Sequence, residues 1–197
     1  IHKKARVLSS SFHTQELKQP DLNFKWDRLQ FNQGKPDQAS QLLANELPGL
    51  SKIHFDPIKM SPEGSDIFRI LDLGAGSGSL GIHAALSILK SASSQTIELD
   101  LIEDNWFSIQ ALTNDPQIVE LRNQGVLVNI LHSNIFRLKP VENKTWDWII
   151  SNPPYHQFNT LTPSLAHEFL IQSYHRLNEK ACLTWVTSSS FKTPGKL

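Results

Sequence analysis

The stretch "FRILDLGAGSGSLGIHAALSILK", residues 68–90, limits the fold more than any other part of the chain. A short apolar strand, Phe68 to Leu73, runs into a turn with glycine at 74, 76 and 78, and an apolar helix begins at Ser79. Glycine reaches positive φ without steric cost and leaves no Cβ in the way of a ligand. A strand that passes through such a turn into a helix returns to its sheet by a crossover. The next strand then lies parallel to the first.

The same pattern recurs downstream. "IELDLIE" (97–103), "GVLVNILH" (125–132), "TWDWIIS" (145–151) and "ACLTWVT" (181–187) read as strands. One helix begins over Trp106 to Leu112 and another covers Thr162 to Leu177. Strands alternating with helices predict an α/β fold: a Rossmann-like, open and mostly parallel sheet with helices on both faces. Upstream, residues 1–30 read as an extended lead-in with room for one short strand. "DQASQLLANEL" (37–47) reads as a helix stopped by Pro48-Gly49, and 56–64 as a loop. The expected division is an N-terminal extension over 1–63 and a ligand-binding domain over 64–197. At 197 residues and 39% hydrophobic content, there is enough apolar material for one sizeable core.

Charge and cysteine content narrow the function classes. Nineteen basic residues balance nineteen acidic ones, so no general pull toward nucleic acid or membrane is expected. The N-terminal end is nonetheless locally positive: Lys3, Lys4, Arg6, Lys18, Lys25, Arg28 and Lys35 face only Glu16, Asp21 and Asp27. It is either a solvated tail or an arm that contacts RNA. Cys182 is the single cysteine, so no disulfide forms within the chain, which suits a cytoplasmic location. No apolar run approaches the roughly 18 residues that span a bilayer, and the histidines lack metal-ligand spacing. Neither membrane nor metal is expected. The chain opens on Ile1-His2-Lys3 without an initiator Met, as expected of a piece of a longer or processed protein.

The glycine turn sits where open α/β sheets bind ligands, at the carboxyl ends of the strands. Gly74, Ala75, Gly76 and Gly78 form its backbone, and the helix N-terminus beyond offers N–H groups and partial positive charge. Glu103, at the tip of the next strand, is placed to accept hydrogen bonds from both hydroxyls of a ribose, and Asp104 competes for that role. Asp72 can meet a cationic ammonium or cap the turn. Asn134 follows a third strand, where its amide either pairs with an adenine amino group or serves as an ordinary turn residue. These residues predict a nucleoside-type cofactor. Gly76-Ser-Gly78-Ser-Leu-Gly81 also satisfies the dinucleotide pattern, so the turn alone does not choose between cofactors. His83, on the helix, reads as packed or solvated.

Asn152-Pro153-Pro154-Tyr155 follows the fourth strand and opens into the same crevice. Pro-Pro fits the interior of neither strand nor helix. An amide oxygen and the carbonyl of the next residue can together hold both protons of a planar amino group. Pro153 has a fixed φ, and Pro154 restricts it to extended geometry, so that carbonyl is aimed in advance. Tyr155 offers a flat face for a base. Held this way, a delocalised nitrogen is favoured as it turns pyramidal and attacks an electrophile. Hydride transfer needs no such arrangement. S-adenosyl-L-methionine, whose sulfonium methyl is such an electrophile, is therefore favoured over NAD.

Together, "LDLGAGSG" and "SNPPY" resemble the cofactor loop and substrate motif of class I S-adenosylmethionine-dependent methyltransferases of the small-domain, amino-methylating type. "NPPYH", "LTPSLAHEFLIQSYHRLN", "LTWVTSSSF" and "FNQGKPDQASQLLANELP" further resemble the ribosomal-RNA guanine-N2 methyltransferases. The likeness runs over about residues 24–191. It implies cofactor contacts from Asp72, Gly74, Gly76, Glu103 and Asn134, amine binding by Asn152 through Tyr155, and RNA, ribosomal RNA above all, as partner. His156 belongs to the motif, where it either orders the loop or touches substrate. The sequence departs from the family pattern in two places, where Val186-Thr187-Ser188 replaces Val-Ala-Asn and "NEKACL" lacks the usual glycine before the fifth strand; the family's final β-hairpin and duplicated N-terminal domain are expected to be absent from this stretch.

Three other functions fit parts of the pattern. The first is the same chemistry on adenine N6 or on a protein glutamine amide, although such enzymes typically lack the histidine found here as His156. The second is a catalytically inactive RNA-binding relative. The third is an NAD-dependent oxidoreductase. Cys182 reads as core. Trp146 and Trp148, on either side of Asp147, are expected to pack on opposite faces of the sheet.

Overall fold

A computed structural model describes residues 6–8, 38–55, 67–91, 95–135, 138, 141–154, 156–157, 160–161 and 163–186. Its main sheet contains six strands: β1 (Arg6–Leu8), β2 (Ile67–Leu73), β3 (Thr96–Glu103), β4 (Leu127–His132), β5 (Trp146–Ser151) and β8 (Leu177–Trp185). They lie in the order β1-β8-β5-β2-β3-β4, and every neighbouring pair is parallel. β6 (His156–Gln157) and β7 (Thr160–Leu161) form a separate antiparallel pair directly after the Asn-Pro-Pro motif.

The strand order places the site. From β2 the chain builds outward through β3 to β4, then crosses back to lay β5 and β8 on the other side of β2. The direction reverses between β2 and β5, and a crevice opens there outside the carboxyl ends of the strands. The glycine turn leaves β2 and Asn152 leaves β5, so the two motifs flank this crevice.

Each face of the sheet carries its own core. One packs Phe68, Ile70, Leu99, Leu101, Trp148 and Ile150 against α1 (Gln38–His54), α2 (Ser79–Leu89) and α4 (Pro116–Asn123). The other packs Leu71, Leu73, Trp146, Ile149 and Leu183 against Phe169 and Leu170 of α5 (Pro163–His175). β5 is buried along its whole length, as its apolar sequence requires of a central parallel strand. Trp146 and Trp148 join opposite cores. Residues two apart on a regular strand share a face, and the register shift in the β5–β8 pairing between these two tryptophans removes that constraint. Each indole also has a polar partner: Trp146 Nε1 donates to Asp100 Oδ2 at 2.7 Å and Trp148 Nε1 to Thr184 Oγ1 at 2.9 Å. Cys182 is buried, as expected.

The elements depart from the sequence reading in several ways. The first helix does not stop at Pro48-Gly49 but runs seventeen residues to His54. Proline removes one helical N–H. Ser51 Oγ, however, donates to the Pro48 carbonyl at 3.0 Å, and Leu43, Ala44, Leu47 and Phe55 are all buried in the core shared with α2. A run of buried side chains thus outweighs a local stop signal. The last strand starts at Leu177 and ends at Trp185, and the helix before it ends at His175. Two helices, α3 (Trp106–Thr113) and α4, stand where only the first was expected. Asp115 caps α4 by accepting from Gln117 N–H at 2.7 Å, with Pro116 opening its first turn. The edge beside β8 is occupied by β1, which pairs with it through Arg6 to Leu8. Among the described residues, no helix is long and apolar enough to cross a membrane.

Candidate active site

The glycine turn is pinned from several directions. Gly74 N–H and Ala75 N–H both donate to the Ile102 carbonyl at 2.9 Å, which fastens the turn to the end of β3. Gly74, Gly76 and Gly78 all have positive φ (76°, 55° and 75°), as the sequence predicts. The three differ in what surrounds them. A Cβ on Gly78 would lie 2.5 Å from Leu112, and one on Gly74 would lie 2.9 Å from Phe169. At Gly76 a Cβ would meet nothing within 4 Å. A side chain at 74 or 78 would thus meet protein atoms, and Gly76 is the one of the three that borders open space.

Two carboxylates hold the turn. Glu103, only 8% exposed, accepts from Gly76 N–H at 2.7 Å through Oε2, and from Asn105 N–H (2.8 Å) and Asp104 N–H (3.0 Å) through Oε1. Burial pushes its carboxyl above the usual range. The Asn105 and Gly76 amides pull it back, and the Asp104 carboxylate pushes it up again. Asp72 lies deeper, at 1% exposed, and its Oδ2 accepts from Gly81 N–H at 2.8 Å in the first turn of α2. Of the two roles considered for Asp72, this bond is the capping one. Burial lifts the Asp72 pKa to about 7, with the Glu103 charge adding to the rise. Gly78, at the N-cap of α2, has no side chain, so Asp72 supplies an acceptor for an N–H of the first turn.

The arrangement discriminates between ligands. A pyrophosphate placed at the turn would lie beside Glu103 and the exposed Asp104, two acidic groups that oppose an anion. A cationic ligand meets no such opposition. His83 takes no part: it is half-buried, and its Nδ1 donates to the Ser79 carbonyl at 2.7 Å, one turn back on α2.

The rim follows from the next two strand ends. Ser133 N–H donates to the Glu103 carbonyl at 3.0 Å, which brings the end of β4, with exposed Asn134, beside the end of β3. Asp104 is also exposed there. Trp106 and Phe107, at the start of α3, are 54% and 52% exposed, and the Trp106 ring lies edge-on to His132 with centroids 5.5 Å apart. The sequence reading used Trp106 only to start a helix. Two adjacent aromatics directly after the acidic strand tip were the available signal.

On the other side of the switch, Ser151 Oγ donates to the Leu73 carbonyl at 2.7 Å, with both groups buried. This bond ties the residue before Asn152 to the residue before Gly74. Asn152 and Pro154 are half-buried and Pro153 is buried. Asn152 Nδ2 donates to Ser40 Oγ on α1 at 2.9 Å, a contact across 112 residues that the sequence reading missed. Tyr155 lies outside the described residues, as do Thr187 and Ser188; His156 enters as a backbone residue of β6. Among the described residues, no group of three or more His, Cys, Asp or Glu side chains is placed to hold a metal.

A family model described as the methyltransferase small domain matches residues 21–197. The chain belongs to that family. A ribosomal RNA small subunit methyltransferase C of Psychromonas ingrahamii is 27% identical over 167 residues, covering 85% of this chain and 40% of that protein. The ribosomal RNA large subunit methyltransferase G of the same organism is 24% identical, covering 83% and 40%. This member of the family thus spans about two-fifths of the length of these curated relatives. Among solved structures, the rRNA methyltransferase aviRa of Streptomyces viridochromogenes superposes with a TM-score of 0.53 at 15% identity, covering 84% of this chain and 80% of that one, and so shares its fold.

Proposed function

We infer that this chain takes S-adenosyl-L-methionine as cofactor and methylates an exocyclic amino group, guanine N2 of ribosomal RNA. One observation carries the reading: Asn152 leaves β5 at the topological switch, tied through Ser151 to the strand that feeds the glycine turn. An amide acceptor beside a pocket suited to a cationic nucleoside is the pairing that N-methylation requires. The relatives named above act on ribosomal RNA, and the Asn-Pro-Pro-Tyr-His motif resembles the guanine-N2 group within them.

S-adenosylmethionine, when bound, would supply an electrophilic methyl on its sulfonium for the amine to take up. The chain's residues do the rest. Glu103, with Asp104 beside it, would hold the ribose hydroxyls, and Asn134 would meet the adenine. Gly74, Ala75 and Gly76 let the backbone approach, while Asp72 and Gly78 keep the turn in shape. Asn152 Oδ1 and the Pro153 carbonyl accept hydrogen bonds from the two amine N–H groups and favour the nitrogen as it becomes pyramidal. Tyr155 stacks on the exposed base, and His156 borders it. A base within an RNA helix must first be extruded. After transfer the methylated nitrogen releases a proton to water, so no general base is required.

Titration calorimetry with S-adenosylmethionine and, separately, with NAD tests the cofactor assignment. Binding of the first and not the second is expected. The reverse would overturn the reading.

A further inference from the structure

The glycine turn is where the chain passes from one core to the other. Leu73 belongs to the core under α5 and Ala75 to the core shared with α1 and α2, so the crossing is made at Gly74. Polar bonds fasten the turn on its strand sides. Gly74 N–H and Ala75 N–H reach the Ile102 carbonyl of β3, and Ser151 Oγ of β5 reaches the Leu73 carbonyl. These bonds act on peptide groups, not on the Cα of Gly74. A different contact meets that atom's α5 side. A Cβ on Gly74 would lie 2.9 Å from Phe169 Cε1 and 3.4 Å from its Cζ, so the edge of the ring fills the space that a side chain would need there.

We propose that Phe169 is a positioning residue for the cofactor, its ring buttressing Gly74 and holding the glycine turn in the shape that S-adenosylmethionine meets. The inference rests on the cofactor assignment made above. Ala166, Phe169, Leu170 and Ser173 are all buried and fall at the i, i+3, i+4 and i+7 positions of α5, so Phe169 points inward from a packed stripe. A ring held in a close-packed interior yields little to a neighbour. A shift at Gly74 is therefore carried along the turn to Gly76, which borders open space and whose N–H is bound to Glu103. α5 is also the helix that follows the Asn152 motif in the chain. The segment that leaves the amine side of the crevice thus returns to support the cofactor side. Phe169 touches neither cofactor nor substrate in this scheme, and its effect passes through Gly74.

The test compares wild type with Phe169→Leu, Gly74→Ala, the double Gly74→Ala/Phe169→Leu variant, and Leu170→Val as a core change on the same helix face. Calorimetry with S-adenosylmethionine gives affinity, measured well below the melting midpoint of each variant so that unfolded chains do not contribute. Leucine has no atom at the Cε1 and Cζ positions, and the turn loses its support. Phe169→Leu should weaken S-adenosylmethionine binding roughly three- to tenfold, the scale of ordering one loosened group, while Leu170→Val binds like wild type. In methyl transfer to ribosomal RNA, Phe169→Leu should raise KM for the cofactor and leave kcat at saturating cofactor near that of wild type. Gly74→Ala carries both the strain of φ 76° and the clash with the ring. The strain is common to the double variant, so the two together isolate the clash. The double variant should bind more tightly than Gly74→Ala. Wild-type affinity in Phe169→Leu, equal losses in Phe169→Leu and Leu170→Val, or a double variant weaker than Gly74→Ala would each overturn the proposal.

A second readout needs no ligand. The Gly74 α-protons, identified in carbon–proton correlation spectra by the loss of their signal in Gly74→Ala, lie against an aromatic ring and should move in Phe169→Leu but hold in Leu170→Val. Unmoved α-protons in Phe169→Leu contradict the contact itself. A wild type that binds no S-adenosylmethionine would sink the cofactor assignment, and the proposal with it. A wild type that binds while Phe169→Leu binds equally well would sink the proposal alone.

Discussion

Asp72 caps an amide nine residues ahead of it, and to do so it sits in a site with almost no solvent. Its carboxyl is raised from 3.8 to about 7 on folding. The folded state therefore holds this proton more tightly than the unfolded one. The stability this contributes is complete below pH 3.8 and is lost as pH rises toward about 7. Asn at this position still accepts from Gly81 N–H but does not titrate. Asp72→Asn should flatten that part of the stability–pH curve and be at least as stable as wild type at pH 8, as urea unfolding at pH 5 and pH 8 would report. An unchanged pH slope in the variant would contradict this. Glu103 makes the complementary case. If it holds the ribose, Glu103→Ala should weaken S-adenosylmethionine binding roughly 10- to 100-fold, the worth of hydrogen bonds to a charged group; calorimetry would show it, and an unchanged affinity would remove Glu103 from the site.

Within the elements, two local features lead to opposite outcomes. Lys180 has φ 63°, a left-handed conformation that costs a residue with a Cβ about 1–2 kcal/mol. It lies in "NEKACL", the stretch that lacks the glycine usual in the family it resembles. Lys180→Gly should stabilise the fold by roughly 0.5–1 kcal/mol after allowing for the greater freedom of glycine in the unfolded chain, a gain readable in a thermal melt. In the glycine turn, Gly78→Ala drives a methyl into Leu112 and should cost roughly 1–3 kcal/mol of stability. Gly76→Ala meets no protein atom and should cost only the roughly 1–2 kcal/mol of its positive φ, so any effect beyond that should fall on cofactor affinity. If both variants lost only stability, the space beside Gly76 would not be the ligand's.

The same elements show what local sequence can carry. β2, β3, β4 and β5 were legible because each is an apolar run ending in a turn signal, and their order along the chain implied parallel pairing. The extension of α1 past Pro48-Gly49 was not legible, because those two residues are a genuine local stop. Only the burial of Leu47 and Phe55 against another helix overrides it. Asp115-Pro116 did announce α4 through its cap and first turn. The Ser40–Asn152 contact had no local signature, since partners 112 residues apart meet only through the tertiary fold.

At the scale of the molecule, α1 belongs to the body of the fold although it precedes the glycine turn. Leu43, Leu47 and Phe55 are each at most 3% exposed, and each such side chain contributes about 1.5–3 kcal/mol when buried. A chain starting at residue 64 should therefore lose cooperative unfolding, whereas the 197-residue chain melts in one transition; an equally sharp melt of the shorter chain would show that α1 is dispensable. The reversal of strand order between β2 and β5 gives the molecule its crevice, with the glycine turn on one wall and Asn152 on the other. The most direct test of that arrangement is to incubate the protein with unmodified ribosomal RNA and S-adenosylmethionine, digest the RNA to nucleosides and identify them by mass spectrometry. The account predicts N2-methylguanosine with wild type and at least a roughly 100-fold smaller yield with Asn152→Ala. Methylation at another atom, or a full yield from the Asn152 variant, would contradict it.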